Sequence, residues 1–172
     1  MDRLKYLFVW LNRIGYCRGF GIQSPTDYSF VRYVINEHWP YYQYDELGQR
    51  DDWLKRKLGR LYFRIANWRQ PKIIESDSYQ GYLQAGCRRA EFGKSTELIL
   101  LSLDGDCFSS LADIYNKVEE NTVLIVEGIC RHKPLWQQLK ADSRSVITFD
   151  LYYCGLVFFD QKRHKQNYII NF

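Results

Sequence analysis

The chain has 172 residues, of which 46% are hydrophobic and 17% aromatic, so its composition predicts one globular unit and excludes a disordered chain. The first apolar run, residues 6–11, is too short for a signal peptide or a membrane span. The five cysteines are odd in number and widely scattered, which favours neither a disulfide framework nor a zinc site. We therefore expect a cytoplasmic protein that does not enter a membrane.

Positive charge is concentrated in the N-terminal part of the chain. Residues 1–72 carry 13 Lys/Arg and 7 Asp/Glu, whereas residues 73–172 carry 11 and 13, within a net charge of +4. Such a basic part is either a solvated face or a surface for an acidic partner. We favour the solvated face.

The first third of the chain predicts short helices separated by loops. Residues 2–12 place apolar side chains at helical spacing, which predicts an amphipathic helix. Ser24 and Pro25 predict the start of a second helix, which we expect to end near His38. Residues 39–44 contain four aromatic side chains without a clear period. We interpret them as a loop packed on the core rather than as a stacking or lid surface.

Asp51 and Asp52 precede the strongest predicted helix, which Pro71 ends. Its apolar positions recur at three- and four-residue steps: Leu54, Leu58, Leu61, Ile65 and Trp68. Its basic positions lie on the other side: Lys55, Arg56, Lys57, Arg60 and Arg64. Acids at the start and bases further along suit the helix dipole, so no ligand is needed to explain this pattern.

From residue 71 onward, strand and helix patterns alternate, which predicts a parallel sheet with crossover helices. The predicted strands are residues 72–75, 98–103, 122–126 and 145–151. The predicted helices between them are residues 81–91, 109–117 and 134–140. Residues 153–159 and 168–172 are predicted to pair as an antiparallel hairpin that closes the fold.

These elements predict an α/β fold class. We expect a reduced Rossmann-like sheet of parallel strands plus a C-terminal antiparallel hairpin, with helices at the N-terminus. Residues 1–172 are predicted to form a single domain, in which 1–70 are a helical extension and 71–172 a truncated Rossmann-like core.

Three stretches resemble motifs of one enzyme family. Residues 21–25 read Gly-Ile-Gln-Ser-Pro, residues 103–106 read Leu-Asp-Gly-Asp, and residues 149–159 read Phe-Asp-Leu-Tyr-Tyr-Cys-Gly-Leu-Val-Phe-Phe. They resemble class I S-adenosylmethionine-dependent methyltransferases, above all a bacterial methyltransferase-like group, known mainly from Bacteroidetes, with an N-terminal helical extension. The resemblance spans nearly the whole chain. It implies a cofactor site at Glu75, Gly81 and Asp104.

The chain also departs from that family's pattern at the implied site. The first strand of such enzymes ends in Glu-x-Gly-x-x-x-Gly, and here Asp77 replaces the first glycine, where a side chain restricts positive φ and crowds the ligand. Residues 82–97 have room for one helix but not for two further strands with their helix. In the family, those strands carry groups that bind the adenosine. We therefore expect Glu75, Gly81 and Asp104 to be vestigial, with no cofactor bound unless the site still accepts S-adenosylmethionine.

Other chemistry is only weakly indicated. Asp104 and Glu127 follow neighbouring predicted strands and could hold a divalent cation, but a third ligand is not evident, so we expect no metal. His132 is the one candidate general base, and we favour a surface role for it. The sequence assigns no catalytic residue.

We expect a degenerate methyltransferase-like protein without catalytic activity that acts as a scaffold or interaction protein. The missing strands would leave residues 72–75 as an exposed sheet edge, which a homodimer, another protein or the N-terminal segment would cover. Two alternatives stay open: an active methyltransferase with an altered cofactor site, and nucleic-acid binding through the basic helix 55–64. Nucleic acid is not the expected partner, because a net charge of +4 is well below the usual basic signature.

Overall fold

A computed structural model describes residues 2–16, 19, 21–103 and 111–172 and shows an α/β fold in which helices pack on a mixed sheet. The helices are α1 Asp2–Asn12, α2 Pro25–Phe30, α3 Trp53–Arg69, α4 Gln80–Gly86, α5 Leu111–Tyr115 and α6 Lys133–Ala141. A π-helix continues α2 over Val31–Ile35, and 3-10 helices lie at Ile14–Tyr16 and Tyr42–Asp45. The strands are β1 Ile73–Glu75, β2 Glu91–Phe92, β3 Leu98–Ser102, β4 Val123–Glu127, β5 Ile147–Asp150, β6 Cys154–Phe158 and β7 Gln166–Ile169.

The strand order is β2-β1-β3-β4-β6-β5-β7, which confirms the Rossmann-like class predicted from the sequence. Every strand runs in one direction except β6, which is antiparallel to both β4 and β5. The antiparallel hairpin near the C-terminus is present and consists of β5 and β6. Among the described residues, no helix has the length and apolar character needed to cross a membrane.

The predicted partners of the last strand were wrong. We expected the final strand to pair with residues 153–159, but β7 pairs in parallel with β5, from Ile147 opposite Gln166 to Asp150 opposite Ile169. The physical reason is that β4 and β5 already occupy both edges of β6. The chain after β6 therefore passes around the start of β5 to reach that strand's free edge.

The expected exposed edge at residues 72–75 was also wrong. The predicted helix 81–91 ends at Gly86, and the following segment returns as β2, parallel to β1. The backbone N–H of Glu91 donates to the carbonyl of Lys72 over 2.8 Å, and the Ser95 hydroxyl donates to the carbonyl of Ile73 over 2.7 Å. Because the chain covers this edge itself, the edge gives no reason to expect a homodimer or a partner there.

Helix α3 links the N-terminal helices to the sheet. Its start is capped by Asp52, which accepts a hydrogen bond from the backbone N–H of Lys55 over 2.7 Å, as the sequence predicted. Its apolar face is buried in a cluster that contains residues of α2, the π-helix and five strands of the sheet. Helix α4 packs closely on α3 because Gly86 lacks a Cβ, which would otherwise meet the carbonyl oxygen of Phe63.

Candidate functional site

Three acidic side chains lie where strands of the sheet end, the place where open α/β sheets bind ligands. Glu75 ends β1, Glu127 ends β4 and Asp150 ends β5. We call this region, together with the loop 76–79, the strand-end edge. The predicted site residue Asp104 lies outside the described residues.

The carboxylate of Glu75 is held by groups of the chain itself. One oxygen accepts a hydrogen bond from Lys117 Nζ over 2.6 Å, and the other accepts from the backbone N–H of Ser95 over 3.1 Å. Glu75 thereby ties the loop after β2 and the chain after α5 to the end of β1. A cofactor hydroxyl would have to compete with both partners.

The loop after β1 closes on itself rather than opening towards a ligand. The Ser76 hydroxyl donates to the carbonyl of Ser78 over 2.6 Å, and the Gln80 side-chain amide donates to the carbonyl of Ser76 over 3.1 Å. Asp77 is exposed and does not have a positive φ; the left-handed residue is Tyr79, with φ of 54°. The backbone does not require positive φ at Asp77, because the left-handed residue lies two positions later.

Gly81, the second predicted residue, is the second residue of α4. A Cβ at this position would meet only Leu47 Cδ2, at 4.0 Å. Packing therefore does not require a glycine here. Glu75 and Gly81 lie at the two ends of the same short loop, and their role in cofactor binding stays a prediction.

The side chain of Tyr79 lies across the strand-end edge. Its ring packs on Tyr62 with the centroids 4.8 Å apart, and its hydroxyl interacts electrostatically with Glu127. Burial and the nearby charge of Glu127 raise the pKa of Tyr79 well above its ordinary value. Since β3 lies between β1 and β4, this contact spans the end of β3 and places an aromatic ring where a ligand would enter.

Asp150 is a charged residue of this edge that the sequence analysis did not single out. It forms an ion pair with Arg13 over 3.0 Å and accepts hydrogen bonds from Trp136 Nε1 over 2.9 Å and from the backbone N–H of Tyr152 over 3.0 Å. Arg13 follows α1, so Asp150 anchors the N-terminal helix to the sheet. The available signal was an acid at the end of a predicted strand.

Neither the metal nor the general-base hypothesis gains support from the described residues. In those parts of the chain, no group of three or more His, Cys, Asp or Glu side chains could hold a metal ion. The pairing of Asp104 with Glu127 cannot be placed, because Asp104 is outside the described ranges. His132 occupies the N-cap position of α6, and its side chain makes no capping hydrogen bond there.

A second candidate site is a cavity of about 860 Å³ on the other side of α3. Its walls are the end of the π-helix, the segment 36–45, the first half of α3 and the last two residues, with Trp10 at one side. We call it the aromatic cavity. It brings together the two features that the sequence showed separately, the basic helix positions and the aromatic segment 39–44.

The five basic positions of α3 have different roles. Lys55 forms an exposed ion pair with Asp51 over 3.0 Å and is not part of the cavity wall. Arg56 donates to the carbonyls of Gly48 and Asp51 over 3.2 and 3.0 Å. Both residues therefore secure the turn before the helix.

Arg64 is a structural residue of the cavity floor. It is buried and donates to the carbonyls of Val34 and Ile35 over 2.6 and 2.9 Å, where the π-helix ends. The unsatisfied carbonyls of a helix end need such partners. Arg64 therefore fixes the position of the segment that forms the opposite wall.

Lys57 and Arg60, the other two of the five basic residues, lie about one helical turn apart on α3. Lys57 Nζ lies between the rings of Trp53 and Phe172, at 4.9 and 4.6 Å from their centroids. Arg60 lies over the ring of Tyr44, with Cζ 4.8 Å from its centroid. Neither forms an ion pair within the part of the chain that the structure describes. Burial and the nearby charge of Arg64 lower the pKa of Lys57 to about 8.

The aromatic segment divides into packed and exposed rings. Tyr41 and Tyr44 pack on Phe63, which agrees with the predicted packed loop. Trp39 and Tyr42, by contrast, are 75% and 93% exposed and lie at the cavity wall. For these two residues the alternative interpretation, a stacking or lid surface, stays a prediction.

Comparison of the chain with protein-family models, with curated proteins and with solved structures found no significant match. The fold and the two candidate sites are thus the basis for the functional argument.

Proposed function

We propose that the chain is a degenerate methyltransferase-like protein that does not transfer methyl groups and acts by binding, as a scaffold or interaction protein. The sheet order and the sequence stretches at residues 21–25, 103–106 and 149–159 support the methyltransferase-like origin. The unpaired thiols of Cys87, Cys130 and Cys154 accord with the reducing cytoplasm as the expected compartment.

One observation supports the loss of cofactor binding above all. The three acids of the strand-end edge each have partners within the chain: Glu75 with Lys117, Glu127 with Tyr79 and Asp150 with Arg13. Active sites depend on groups that are positioned for a ligand rather than neutralised by their neighbours. Here the charged groups stabilise the fold.

Calorimetric titration with S-adenosylmethionine and S-adenosylhomocysteine tests this proposal. We expect no binding at micromolar concentrations of either compound. Micromolar binding that Glu75→Gln removes would overturn the proposal in favour of an active or formerly active cofactor site. Glu97→Gln is the matched control, because Glu97 precedes β3 at the opposite end of the sheet and accepts a hydrogen bond from the backbone N–H of Lys72.

The competing function, a methyltransferase with an altered cofactor site, keeps Glu75, Gly81 and Asp104 as ligands. It predicts that S-adenosylmethionine raises the melting temperature and that Asp104→Ala abolishes this shift. An unchanged melting temperature at millimolar cofactor would count against it.

Nucleic-acid binding along the helix 55–64 has less support as a continuous basic stripe. Lys55, Arg56 and Arg64 have partners within the chain, which leaves two of the five bases for phosphates. A strand contacted at five phosphates would show a steep salt dependence, whereas two cations close together suit a single phosphate.

A further inference from the structure

We propose that the aromatic cavity is a binding site for a nucleotide, an aromatic base that carries a phosphate, with Lys57 and Arg60 holding the phosphate and Trp39 and Tyr42 stacking on the base. This inference does not rest on the loss of methyl transfer, because the cavity and the strand-end edge share no acidic group.

Two donors of the cavity lining have no acceptor among the residues that the structure describes. They are the Nε atom of Arg60 and the side-chain amide nitrogen of Asn36, and both atoms are buried. A buried donor without an acceptor destabilises the fold, so the lining favours a ligand that accepts hydrogen bonds. Both residues line the same cavity.

The charge of the lining favours an anion. Four basic and two acidic side chains line the cavity, and one of the acids, Glu37, accepts a hydrogen bond from the Tyr41 hydroxyl over 2.8 Å. Lys57 and Arg60 lie three residues apart on α3, and both line this cavity. A phosphate between them would offset the burial of Lys57.

The exposed rings favour an aromatic ligand. A tryptophan that is 75% exposed and a tyrosine that is 93% exposed leave large apolar faces in water beside a cationic cavity. Stacking of a base on such a ring favours binding and accepts any base, because every base has an aromatic face. Cavities of about 300 to 1,000 Å³ accommodate ligands of this size.

Titration with AMP and GMP, followed by calorimetry and by tryptophan fluorescence, tests the proposal. We expect both nucleotides to bind, and adenosine and inorganic phosphate to bind at least tenfold more weakly, because each supplies half of the contacts. The affinity for AMP should fall as the salt concentration rises, because salt screens the attraction between the phosphate and the two cations. Absence of AMP and GMP binding at millimolar concentration would overturn the proposal.

Variants locate the site. The double variant Lys57→Met with Arg60→Met should weaken AMP binding at least tenfold, and Trp39→Ala, which alters an exposed side chain, should weaken it about fivefold. Lys55→Met is the matched control on the same helix and should leave the affinity unchanged. If the double variant or Trp39→Ala binds AMP like the parent chain, the assigned cavity is wrong. Circular dichroism confirms that each variant is folded.

The same chemistry could come from a free nucleotide or from the end of a single strand. A 5′-phosphorylated pentanucleotide separates the two sources. Equal or weaker binding than AMP supports a free nucleotide, and tighter binding that still requires Lys57 and Arg60 supports a strand end at the same site. Pentanucleotide binding that the double variant leaves unchanged would contradict the proposed site. Any S-adenosylmethionine binding would be assigned by its response to Glu75→Gln or to the double variant, which keeps this test separate from the preceding one.

Discussion

The strand-end edge and the aromatic cavity both contain charged side chains, and they differ in whether those side chains have charged or polar partners within the chain. At the strand-end edge, Glu75, Glu127 and Asp150 each interact with groups from other elements. In the aromatic cavity, Lys57 and Arg60 lie against aromatic rings and form no ion pair with any residue that the structure describes. The charges of the strand-end edge, where such folds bind ligands, are thus used in contacts within the chain. Two charges of the aromatic cavity are not.

This difference separates groups that stabilise the fold from groups that weaken it. A paired carboxylate at the strand-end edge joins two elements, so its removal should be destabilising. A partly buried cation without a carboxylate opposes folding, and retaining such a group favours a role in binding. The two kinds of group should therefore differ in the sign and size of the change in unfolding free energy when each is replaced.

The largest expected effect is that of Arg64→Met. Loss of the guanidinium leaves the buried carbonyls of Val34 and Ile35 without donors and should lower the free energy of unfolding by about 3 kcal/mol. Urea denaturation followed by circular dichroism measures the change. Arg69→Met on the same helix, where the side chain donates to one exposed carbonyl, is the control and should cost about 0.5 kcal/mol. If Arg64→Met and Arg69→Met lower the free energy of unfolding equally, the bonds of Arg64 to the two carbonyls do not stabilise the fold.

Tyr79→Ala should have the next largest effect. It removes the ring that packs on Tyr62 and the hydroxyl that interacts with Glu127, and we expect a loss of about 2 kcal/mol in unfolding free energy. Tyr79→Phe keeps the ring and should lose about 1 kcal/mol. Alanine and phenylalanine both have a Cβ and must both adopt the positive φ of residue 79. The difference in unfolding free energy between the two variants therefore reports the contribution of the ring. If the alanine variant is no less stable than the phenylalanine variant, the ring does not fill the strand-end edge.

The local sequence signals predicted most of the elements but not their long-range partners. The caps at Ser24 and Asp52 and the positions of β1, β3, β4 and β5 follow from residue patterns within a few positions. Strand β2 has two residues, too few for any periodicity to show. This strand forms because it pairs with the edge of β1 that β3 leaves free. The pairing of β7 likewise depends on which strand edges are left.

The two candidate sites show the same limit. The sequence marked five basic residues on one helix. Arg64 donates to carbonyls about thirty residues away, whereas the Arg60 side chain donates to no carbonyl of the described residues, and no local pattern distinguishes the two. The family pattern also indicated a glycine-type turn at Asp77, whereas the positive φ is at Tyr79. Which charges are free is thus a property of the tertiary structure.

Lys57→Met should change stability in the opposite direction from Arg64→Met. Burial penalises the charged form of Lys57, and the flanking rings return only part of that penalty. A methionine of similar length would remove the charge and keep the packing, so we expect the free energy of unfolding at pH 7 to rise by about 2 kcal/mol. Lys55→Met, at the exposed ion pair, should change it by less than about 0.5 kcal/mol. A loss of stability in Lys57→Met would show that the cation holds the fold together.

The smallest expected effect is the pH dependence of the stability that Lys57→Met gains over the parent chain. The pKa of Lys57 is about 8 in the folded chain and 10.5 in the unfolded one, so the unfolded chain binds the extra proton between these values. The unfolding free energy of the parent chain therefore rises with pH across this window relative to that of Lys57→Met. From pH 7 to pH 9, the advantage of the variant should shrink by about 1 kcal/mol. A constant difference from pH 7 to pH 10 would mean that Lys57 is solvated, and the contrast between the two regions would then rest on Arg60 alone.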